Sequence, residues 1–490
     1  MTATATEKTL PGLHIGGEWT EASGGETFED LDPFTGDVVA SVPAGTREDA
    51  RRAIEAAAKA FPAWSQTPPA QRQRIFLKAA DLLESRIDDT ASWLTRETGT
   101  TFGFAMFQLQ FVAGLFRQAA ALGYQPMGEI IPSDTGAFAM GLRRPVGVVG
   151  AIAPWNAALI LSARSIAAPM ALGNTVVLKP SEFSPYSGGL IWGEIFSEAG
   201  LPEGVLNIVT HAPEEAGPIA DELTENPLVR VINFTGSTQT GRRLAEAAGR
   251  NLKRVVLELG GYNPLIVLAD ADLDYAVDAT AFGAFFHQGQ ICMSARRIIV
   301  EEPIADTFVE RLVEKTKGLK SGDPKKHDTI IGPLITKDAV RTVKSRVDDA
   351  VAKGAKVLAG GEAEGSVYQA TLLADVPEDA DFAQVETFGP VAAVEVVGSA
   401  EEAVERANRT SYGLSAGIIT SDPDRGLTLA QQIESGIVHV NDQPVGDEPQ
   451  MPFGGVKDSG FGRFGGTAAI NEFTELHWVT VTSGTHPFPF

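Results

Sequence analysis

Hydrophobic and polar residues follow one another with two different periods along this chain, and the first period is helical. From Thr46 the apolar positions recur at helical spacing, and Thr46 with Asp49 resembles a capping pair at a helix start. A second long segment of helical periodicity covers residues 69–98. This part of the chain is therefore predicted to be helical.

The pattern changes between residues 124 and 145, where glycines and prolines separate short apolar stretches. These breakers are Pro126, Gly128, Pro132, Gly136 and Gly141. Helix-breaking residues at this density favour an extended ribbon or hairpin over a helix.

Beyond residue 146, short runs rich in β-branched residues alternate with helical stretches in two successive series. The first series comprises residues 146–153, 175–178, 205–209 and 229–234. The second, after Glu258, includes residues 264–268, 297–300, 391–397, 415–420 and 437–440. Strands that alternate with helices predict parallel sheets covered on both faces, so we expect an α/β protein with two such units.

Composition limits the classes of function. The 490 residues, 43% of them hydrophobic, are enough for about three domains with a large core. Forty basic against 63 acidic residues give a net charge of -23, which disfavours binding to nucleic acid or to an anionic membrane surface. The start of the sequence lacks a basic region followed by an apolar stretch, and no run of about 18 apolar residues occurs. A cytoplasmic protein is expected.

Two side chains stand out as candidates for chemistry. Cys292, the only cysteine, ends the segment Phe-His-Gln-Gly-Gln-Ile-Cys, and Glu258 begins a Glu-Leu-Gly-Gly segment. A thiol that attacks a carbonyl and a carboxylate that activates water can together make and hydrolyse a thioester. Taken alone, a single cysteine is more often a buried packing residue, and the carboxylate could be a structural one at a strand end. One cysteine excludes internal disulfides and thiolate metal cages, and the seven histidines form no His-Glu-x-x-His spacing, so no metal is expected.

Both segments resemble signatures of the aldehyde dehydrogenase superfamily, and five further segments resemble that family's motifs in the family's order. They are Pro-Trp-Asn at 154–156, Leu-Lys-Pro-Ser-Glu at 178–182, Phe-Thr-Gly-Ser-Thr-Gln-Thr-Gly at 234–241, Glu-Thr-Phe-Gly-Pro at 386–390 and Pro-Phe-Gly-Gly at 452–455. Seven ordered segments over most of the chain identify it as a member of the superfamily.

The resemblance implies a fold with three parts. A Rossmann-like NAD-binding domain would comprise residues 1–123 and 145–257, and an α/β catalytic domain would comprise residues 258–466. Residues 124–144 and 467–490 would form a small β oligomerisation element. An exposed two-stranded ribbon is only marginally stable alone and offers open edges, so a homodimer or homotetramer is expected.

The predicted cofactor is NAD. The strand at 229–234 leads into Gly236, Ser237 and a helical stretch, which places backbone amides and a helix N-terminus where a pyrophosphate could bind. The only literal G-x-G-x-x-G, residues 460–465, follows no strand and is interpreted as a loop.

By resemblance, Lys179 and Glu182 hold the adenosine ribose hydroxyls. A carboxylate there would repel a 2′-phosphate, so Glu182 favours NAD over NADP. Glu386 is expected on the nicotinamide ribose with Phe388 beside the nicotinamide, and the other cofactor-binding residues implied are Ala153, Trp155, Ser181 and Leu259. His211 departs from the small residue often found after its strand in the family.

The resemblance also assigns catalytic roles. Cys292 would attack the aldehyde carbon, and the Asn156 amide with the Cys292 backbone N–H would hold the oxyanion. Hydride transfer to the nicotinamide leaves a thioester, and Glu258 would activate the water that hydrolyses it. Because the coenzyme-A-acylating branch commonly lacks this carboxylate, the expected product is a free acid.

Substrate class is inferred from a smaller set of residues. Asn156, Ile160 and Arg164 are spaced to share one helix face that leads away from the oxyanion site. The stretches at 160–167 and 287–297 look most like benzaldehyde and vanillin dehydrogenases, and Phe286 and Phe453 would line an aromatic tunnel or pack in the core. Arg164 would meet a ring hydroxyl or a structural carboxylate. The alternatives are an aliphatic aldehyde or semialdehyde substrate, and a non-catalytic scaffold with the same fold.

Overall fold

The computed structural model describes residues 8–485 and 487–490, in which strands and helices alternate along most of the chain. The strands are β1 Lys8–Thr9, β2 Leu13–Ile15, β3 Glu18–Thr20, β4 Thr27–Leu31, β5 Val38–Pro43, β6 Gly128–Ile131, β7 Phe138–Pro145, β8 Val148–Ile152, β9 Thr175–Lys179, β10 Leu206–Ile208, β11 Val229–Thr235, β12 Arg254–Glu258, β13 Asn263–Val267, β14 Ala295–Glu301, β15 Lys356–Ala359, β16 Ala363–Glu364, β17 Val367–Tyr368, β18 Thr371–Ala374, β19 Val391–Val397, β20 Tyr412–Gly413, β21 Ser415–Ile419, β22 Ile437–Val440, β23 Val456–Lys457, β24 Gly460–Phe461 and β25 Thr474–Val481. The α-helices are α1 Arg47–Ser65, α2 Pro69–Glu84, α3 Ile87–Thr98, α4 Phe102–Leu122, α5 Ala158–Ala171, α6 Ile191–Ala199, α7 Ala216–Glu225, α8 Thr238–Arg250, α9 Leu273–Phe285, α10 Glu302–Lys317, α11 Lys337–Ala352, α12 Asp381–Gln384, α13 Ala400–Asn408, α14 Pro423–Ala430 and α15 Ala468–Phe473.

An eight-stranded sheet forms the first α/β unit, in the order β24-β12-β11-β8-β9-β10-β2-β3. The five strands from β12 to β10 are parallel, and β24, β2 and β3 add antiparallel edges. Both faces are covered: along β9, Val176 and Leu178 belong to one buried cluster and Val177 to another. This burial explains the continuous apolar runs from which the strands were predicted.

The order of the parallel strands creates a crevice. The chain passes from β8 to β9 and β10 on one side, then returns to place β11 and β12 on the other side of β8. Connections therefore leave in opposite directions from the carboxyl ends of β8 and β11, which is where open α/β sheets bind ligands.

A seven-stranded sheet forms the second unit, in the order β15-β18-β19-β14-β13-β21-β22. All of its strands are parallel except β15. Leu265 and Val267 of β13 pack into one buried cluster while Ile266 packs into the cluster on the opposite face. The prediction of two parallel sheets covered on both faces is confirmed.

The predicted ribbon is a β6–β7 hairpin, and β25 pairs antiparallel with β7 along its whole length to make a three-stranded sheet. Several large apolar side chains of this sheet are exposed, including Ile130, Phe138 and Trp478.

Of three local features predicted from the sequence, one helix start is confirmed, and two segments differ in part from the prediction. Thr46 and Asp49 form the predicted capping box of α1. The segment predicted to be helical over residues 69–98 is helical except around Arg86, whose non-helical backbone angles separate α2 from α3. The loop predicted over 460–465 is wrong at its start: Gly460 and Phe461 pair with Glu258 and Leu257 at the edge of the eight-stranded sheet.

Among residues 8–485 and 487–490, no helix is both long enough and apolar enough to cross a membrane.

Candidate active site

Glu258 and Cys292 lie on chain segments that touch each other. Glu258 is the last residue of β12, and the chain then turns through Gly260 and Gly261 into β13. Asn263 Nδ2, at the start of β13, donates a hydrogen bond of 2.8 Å to the Cys292 carbonyl oxygen. A Cβ on Gly261 would lie 2.2 Å from the same oxygen, so only glycine allows this approach. The cleft thus lies between the carboxyl edge of the first sheet and the amino edge of the second.

The loop before Cys292 has an unusual backbone. His287, Gln288 and Gly289 have φ values of 50°, 53° and 64°, and left-handed conformations are unfavourable for the first two side chains. Asn156 Nδ2 donates to the Gln290 carbonyl oxygen at 2.9 Å, and Gln290 Oε1 accepts from the Ile335 backbone N–H at 3.1 Å. The surrounding chain therefore holds the loop in a conformation that its residues would not adopt alone.

The electrostatics of the cleft favour the protonated form of both candidate groups. Burial raises the pKa of Glu258 to about 8, and the charges of Arg164 and Arg463 and the nearby Gly455 amide oppose this shift. Neither Glu258 carboxylate oxygen has a partner with hydrogen-bond geometry among the described residues. Burial, followed by the negative charge of Glu258, also raises the pKa of the half-buried Cys292 thiol.

Arg164 contacts a carboxylate, one of the two partners left open by the sequence. It lies on α5 and forms a buried ion pair with Asp447. Its guanidinium carbon is 4.3 Å from the centroid of the Phe453 ring and 5.6 Å from that of Phe111. Asp447 Oδ1, the carboxylate oxygen that does not pair with Arg164, is buried and has no hydrogen-bond partner within residues 8–485 and 487–490. Arg164 is thus fixed by charge and by aromatic stacking.

Aromatic side chains gather beside the cysteine loop. Phe286 stacks on Phe282 with ring centroids 4.5 Å apart and meets the edge of Phe104 at 5.0 Å. Phe104, from α4, also contacts the His287 ring at 4.4 Å. Phe453 and Ile160 are buried in the cluster against which Phe286 and Cys292 pack.

The residues predicted for the pyrophosphate and nicotinamide lie at the crevice between β8 and β11. Ser237 caps α8, its Oγ accepting from the Thr240 N–H at 3.3 Å. A Cβ on Gly236 would lie 2.5 Å from the Phe234 ring, so a larger residue at this turn would displace that ring. Trp155 follows β8 closely, beyond Ala153, and meets Phe388 edge-on with ring centroids 5.7 Å apart.

Glu386 reaches the turn between Glu258 and Asn263. Its Oε1 accepts a hydrogen bond of 3.0 Å from the Gly261 backbone N–H. A Cβ on Gly260 would lie 2.6 Å from Glu386 Oε2. Leu259, in the same turn, is buried and donates its backbone N–H to the Ser459 carbonyl oxygen at 3.0 Å.

The residues predicted for the adenosine ribose lie at the end of β9, where Lys179 is its last residue, and directly after it. Burial lowers the pKa of Lys179 to about 8, and the Glu182 charge opposes this shift. Ser181 Oγ donates to Glu182 Oε2 at 3.0 Å. A helix N-terminus at Ser237, a glycine turn at Gly236 and a Lys–Glu pair at one sheet edge fit a dinucleotide in both shape and charge.

Comparison with known proteins agrees with this geometry. Residues 19–479 match the model of the aldehyde dehydrogenase family. The chain is 49% identical over 479 residues to a vanillin dehydrogenase of Pseudomonas fluorescens, covering 97% of this chain and 99% of the relative. It is 42% identical over 474 residues to an NAD(+) benzaldehyde dehydrogenase of Pseudomonas putida, covering 96% of each. The crystal structure of a salicylaldehyde dehydrogenase from Pseudomonas putida G7 complexed with salicylaldehyde superposes with a TM-score of 0.96 at 44% identity, covering 99% of this chain and 100% of that one.

The chain belongs to the aldehyde dehydrogenase family. The predictions of the family and its fold are confirmed.

The motifs did not reveal several residues of the cleft. Asp447 and Arg463 act on the Glu258 charge, and Phe104 and Phe111 complete the aromatic surroundings. Asp447 lies 283 residues from its partner Arg164, and no local pattern links the two.

Proposed function

We propose that this protein oxidises an aromatic aldehyde to the carboxylic acid with NAD as cofactor. The observation that carries the proposal is the convergence of Cys292 and Glu258 in one cleft beside the aromatic side chains of Phe286 and Phe453. The similarity over nearly the whole length to vanillin, benzaldehyde and salicylaldehyde dehydrogenases supports an aromatic substrate. A flat ring suits a pocket lined by aromatic side chains.

Cys292 makes and releases the covalent intermediate. In its thiolate form, after the thiol proton has passed to water, its sulfur bonds to the aldehyde carbon as the carbonyl π electrons move to oxygen, and the Asn156 amide and the Cys292 backbone N–H hold the resulting oxyanion. Donors that are fixed before the reaction contribute about 3–4 kcal/mol each. Asn156 meets this requirement, because its Nδ2 already donates to the Gln290 carbonyl oxygen and is thereby oriented.

NAD, when bound, supplies the hydride acceptor that turns the thiohemiacetal into a thioester. We assign its pyrophosphate to Gly236 and Ser237, and its adenosine ribose to Lys179, Ser181 and Glu182. Ala153, Trp155, Leu259, Glu386 and Phe388 are assigned to the nicotinamide half and its approach. The Glu182 carboxylate disfavours a 2′-phosphate, so NAD is preferred over NADP.

Glu258 acts on the thioester. Its carboxylate removes a proton from the attacking water, and the free acid leaves as the Cys292 thiol is restored. Because burial raises the Glu258 pKa to about 8, the carboxylate form becomes dominant only in mildly alkaline solution.

A panel of aldehydes tests the substrate class. Absorbance at 340 nm reports NADH formation, and kcat/KM is compared for benzaldehyde, vanillin and succinic semialdehyde. We expect the two aromatic aldehydes to exceed the semialdehyde by at least about tenfold, which corresponds to about 1.4 kcal/mol of transition-state discrimination. A preference for succinic semialdehyde would overturn the aromatic assignment, and no NADH formation with any aldehyde would favour the scaffold.

We also propose that residues 124–144 and 467–490 join two or more copies of the chain. Support comes from the exposed apolar side chains of the β6–β7–β25 sheet, among which Ile130 and Trp478 are 71% and 76% exposed. Such side chains on an open sheet favour a protein partner. Light scattering after size-exclusion chromatography should give a dimer or tetramer, and a monomer at micromolar concentration would contradict the assignment.

A further inference from the structure

A buried histidine contacts the lysine of the proposed ribose site. Lys179 ends β9, and His211 follows β10, its parallel neighbour, so both lie at the same carboxyl edge of the sheet. His211 Nε2 is 2.6 Å from Lys179 Nζ. Lys179 is 7% exposed and His211 is fully buried, so solvent does not compete for this contact.

The other neighbours of the imidazole fix its tautomer. His211 Nδ1 is 2.8 Å from the Ala212 carbonyl oxygen, which can only accept, so Nδ1 carries the proton. Nε2 then has the lone pair and accepts a hydrogen bond from the Lys179 ammonium. The opposite tautomer would set a bare Nδ1 against the Ala212 oxygen and an Nε2–H against the ammonium. The single contact that favours it, Nε2 to the Pro180 carbonyl oxygen at 3.1 Å, does not outweigh these two.

The ring remains neutral over the ordinary pH range. Burial, followed by the charge of Lys179, lowers the pKa of His211 to about 4. The charged groups that act on the histidine are Lys179 and Glu182, and both are assigned to the ribose site. Lys179 therefore contacts a neutral acceptor, His211 Nε2, and also feels the charge of the Glu182 carboxylate.

We propose that His211 is a positioning residue of the cofactor site, which orients the Lys179 ammonium toward the adenosine ribose hydroxyls and keeps it from turning to a 2′-phosphate. This proposal rests on the NAD site proposed above. An ammonium has three N–H groups, and the bond to His211 commits one of them and fixes the directions of the other two. A 2′-phosphate brings more negative charge and volume, so a lysine must move to pair with it. A lysine held by His211 therefore adds to the preference for NAD over NADP that the Glu182 carboxylate provides.

Cofactor binding in the absence of aldehyde tests this role. The full chain is titrated with NADH and with NADPH, and the fluorescence of the reduced nicotinamide gives Kd for the wild type, His211→Ala and His211→Gln. Loss of one hydrogen bond to a charged group should raise the NADH Kd of His211→Ala about tenfold. The NADPH Kd should rise less, so the ratio of NADPH to NADH Kd should fall. His211→Gln should restore NADH binding to within about threefold of wild type, because the amide oxygen can accept from Lys179.

A matched control separates this role from the general effect of losing a buried histidine. His14 on β2 is also buried, at 4% exposure, and its ring contacts Ser197 rather than the cofactor edge. His14→Ala should leave the NADH Kd unchanged. If His211→Ala does not fold, His211→Asn serves in its place, because the shorter amide does not reach Lys179 and should bind NADH as weakly as expected for alanine.

Two results would overturn the proposal. One is an NADH Kd of His211→Ala equal to that of the wild type. The other is equal weakening by alanine and glutamine, which would show that the ring only fills space. A wild-type protein that does not bind NADH would overturn the NAD site itself, whereas NADH binding without aldehyde oxidation would overturn only the proposed function.

Discussion

Replacing Glu258 with glutamine preserves the shape of the side chain and removes its ability to accept a proton. Because neither Glu258 oxygen has a partner with full hydrogen-bond geometry among the described residues, and glutamine keeps an oxygen that the nearby Gly455 amide can face, the effect of the substitution falls on the chemistry. General-base catalysis contributes about 10²–10⁴-fold. We therefore expect thioester hydrolysis to slow by this factor in Glu258→Gln, while formation of the thioester continues.

The pKa of Glu258 sets how strongly the rate of thioester hydrolysis in the wild type should depend on pH. With a pKa of about 8, about one Glu258 side chain in eleven is ionised at pH 7 and about ten in eleven at pH 9. The carboxylate is the active form and is populated above the pKa. Hydrolysis of the thioester should thus accelerate about tenfold from pH 7 to pH 9, and Glu258→Gln should lose this dependence.

Stopped-flow absorbance at 340 nm separates the two steps. Glu258→Gln should release about one NADH per active site in a burst and then stall. Glu310→Gln, which changes an exposed glutamate on α10, should match the wild type at both pH values. Normal steady-state turnover by Glu258→Gln at pH 9 would refute the assignment of Glu258 as the base.

Three further predictions concern single side chains. Cys292→Ala should abolish NADH formation from every aldehyde in the panel while NADH binding persists in fluorescence titration; residual turnover would show that another group attacks the substrate. Arg164→Met should destabilise the protein by about 3–5 kcal/mol in urea unfolding, because Asp447 becomes a buried charge without its partner, and adding Asp447→Leu should recover part of the loss. Equal stability of Arg164→Met and wild type would contradict the buried ion pair. Glu182→Ser should narrow the preference for NAD over NADP in kcat/KM, and an unchanged ratio would remove Glu182 from the ribose site.

Elements with local signals could be predicted from the sequence. The capping box at Thr46 and Asp49 lies within four consecutive residues, and the hairpin of β6 and β7 follows from its closely spaced glycines and prolines. The break at Arg86 could not be predicted, because the apolar period continues across it. Chain pattern thus located the helices and strands better than it located their ends.

Contacts between residues far apart in the sequence could not be predicted from the short motifs. The segments that carry Cys292, Glu258 and Lys179 could be recognised because each is a contiguous string. The partners of Arg164 and Lys179, namely Asp447 and His211, are 283 and 32 residues away and depend on how the sheets bring loops together. In the sequence His211 is only an unusual residue, because its tautomer depends on neighbours that the fold brings to it.

The pairing of Glu258 with Gly460 has a consequence for biosynthesis. The strand that ends in the proposed base is bordered by residues about 200 positions further along the chain, and Ser459 Oγ donates to the Gly260 carbonyl oxygen at 2.7 Å. Closing so long a loop is slow and comes after local elements have formed. A nascent polypeptide that already carries its thiol and its carboxylate still lacks one wall of the cleft, so premature stop codons well beyond Cys292 should yield inactive protein.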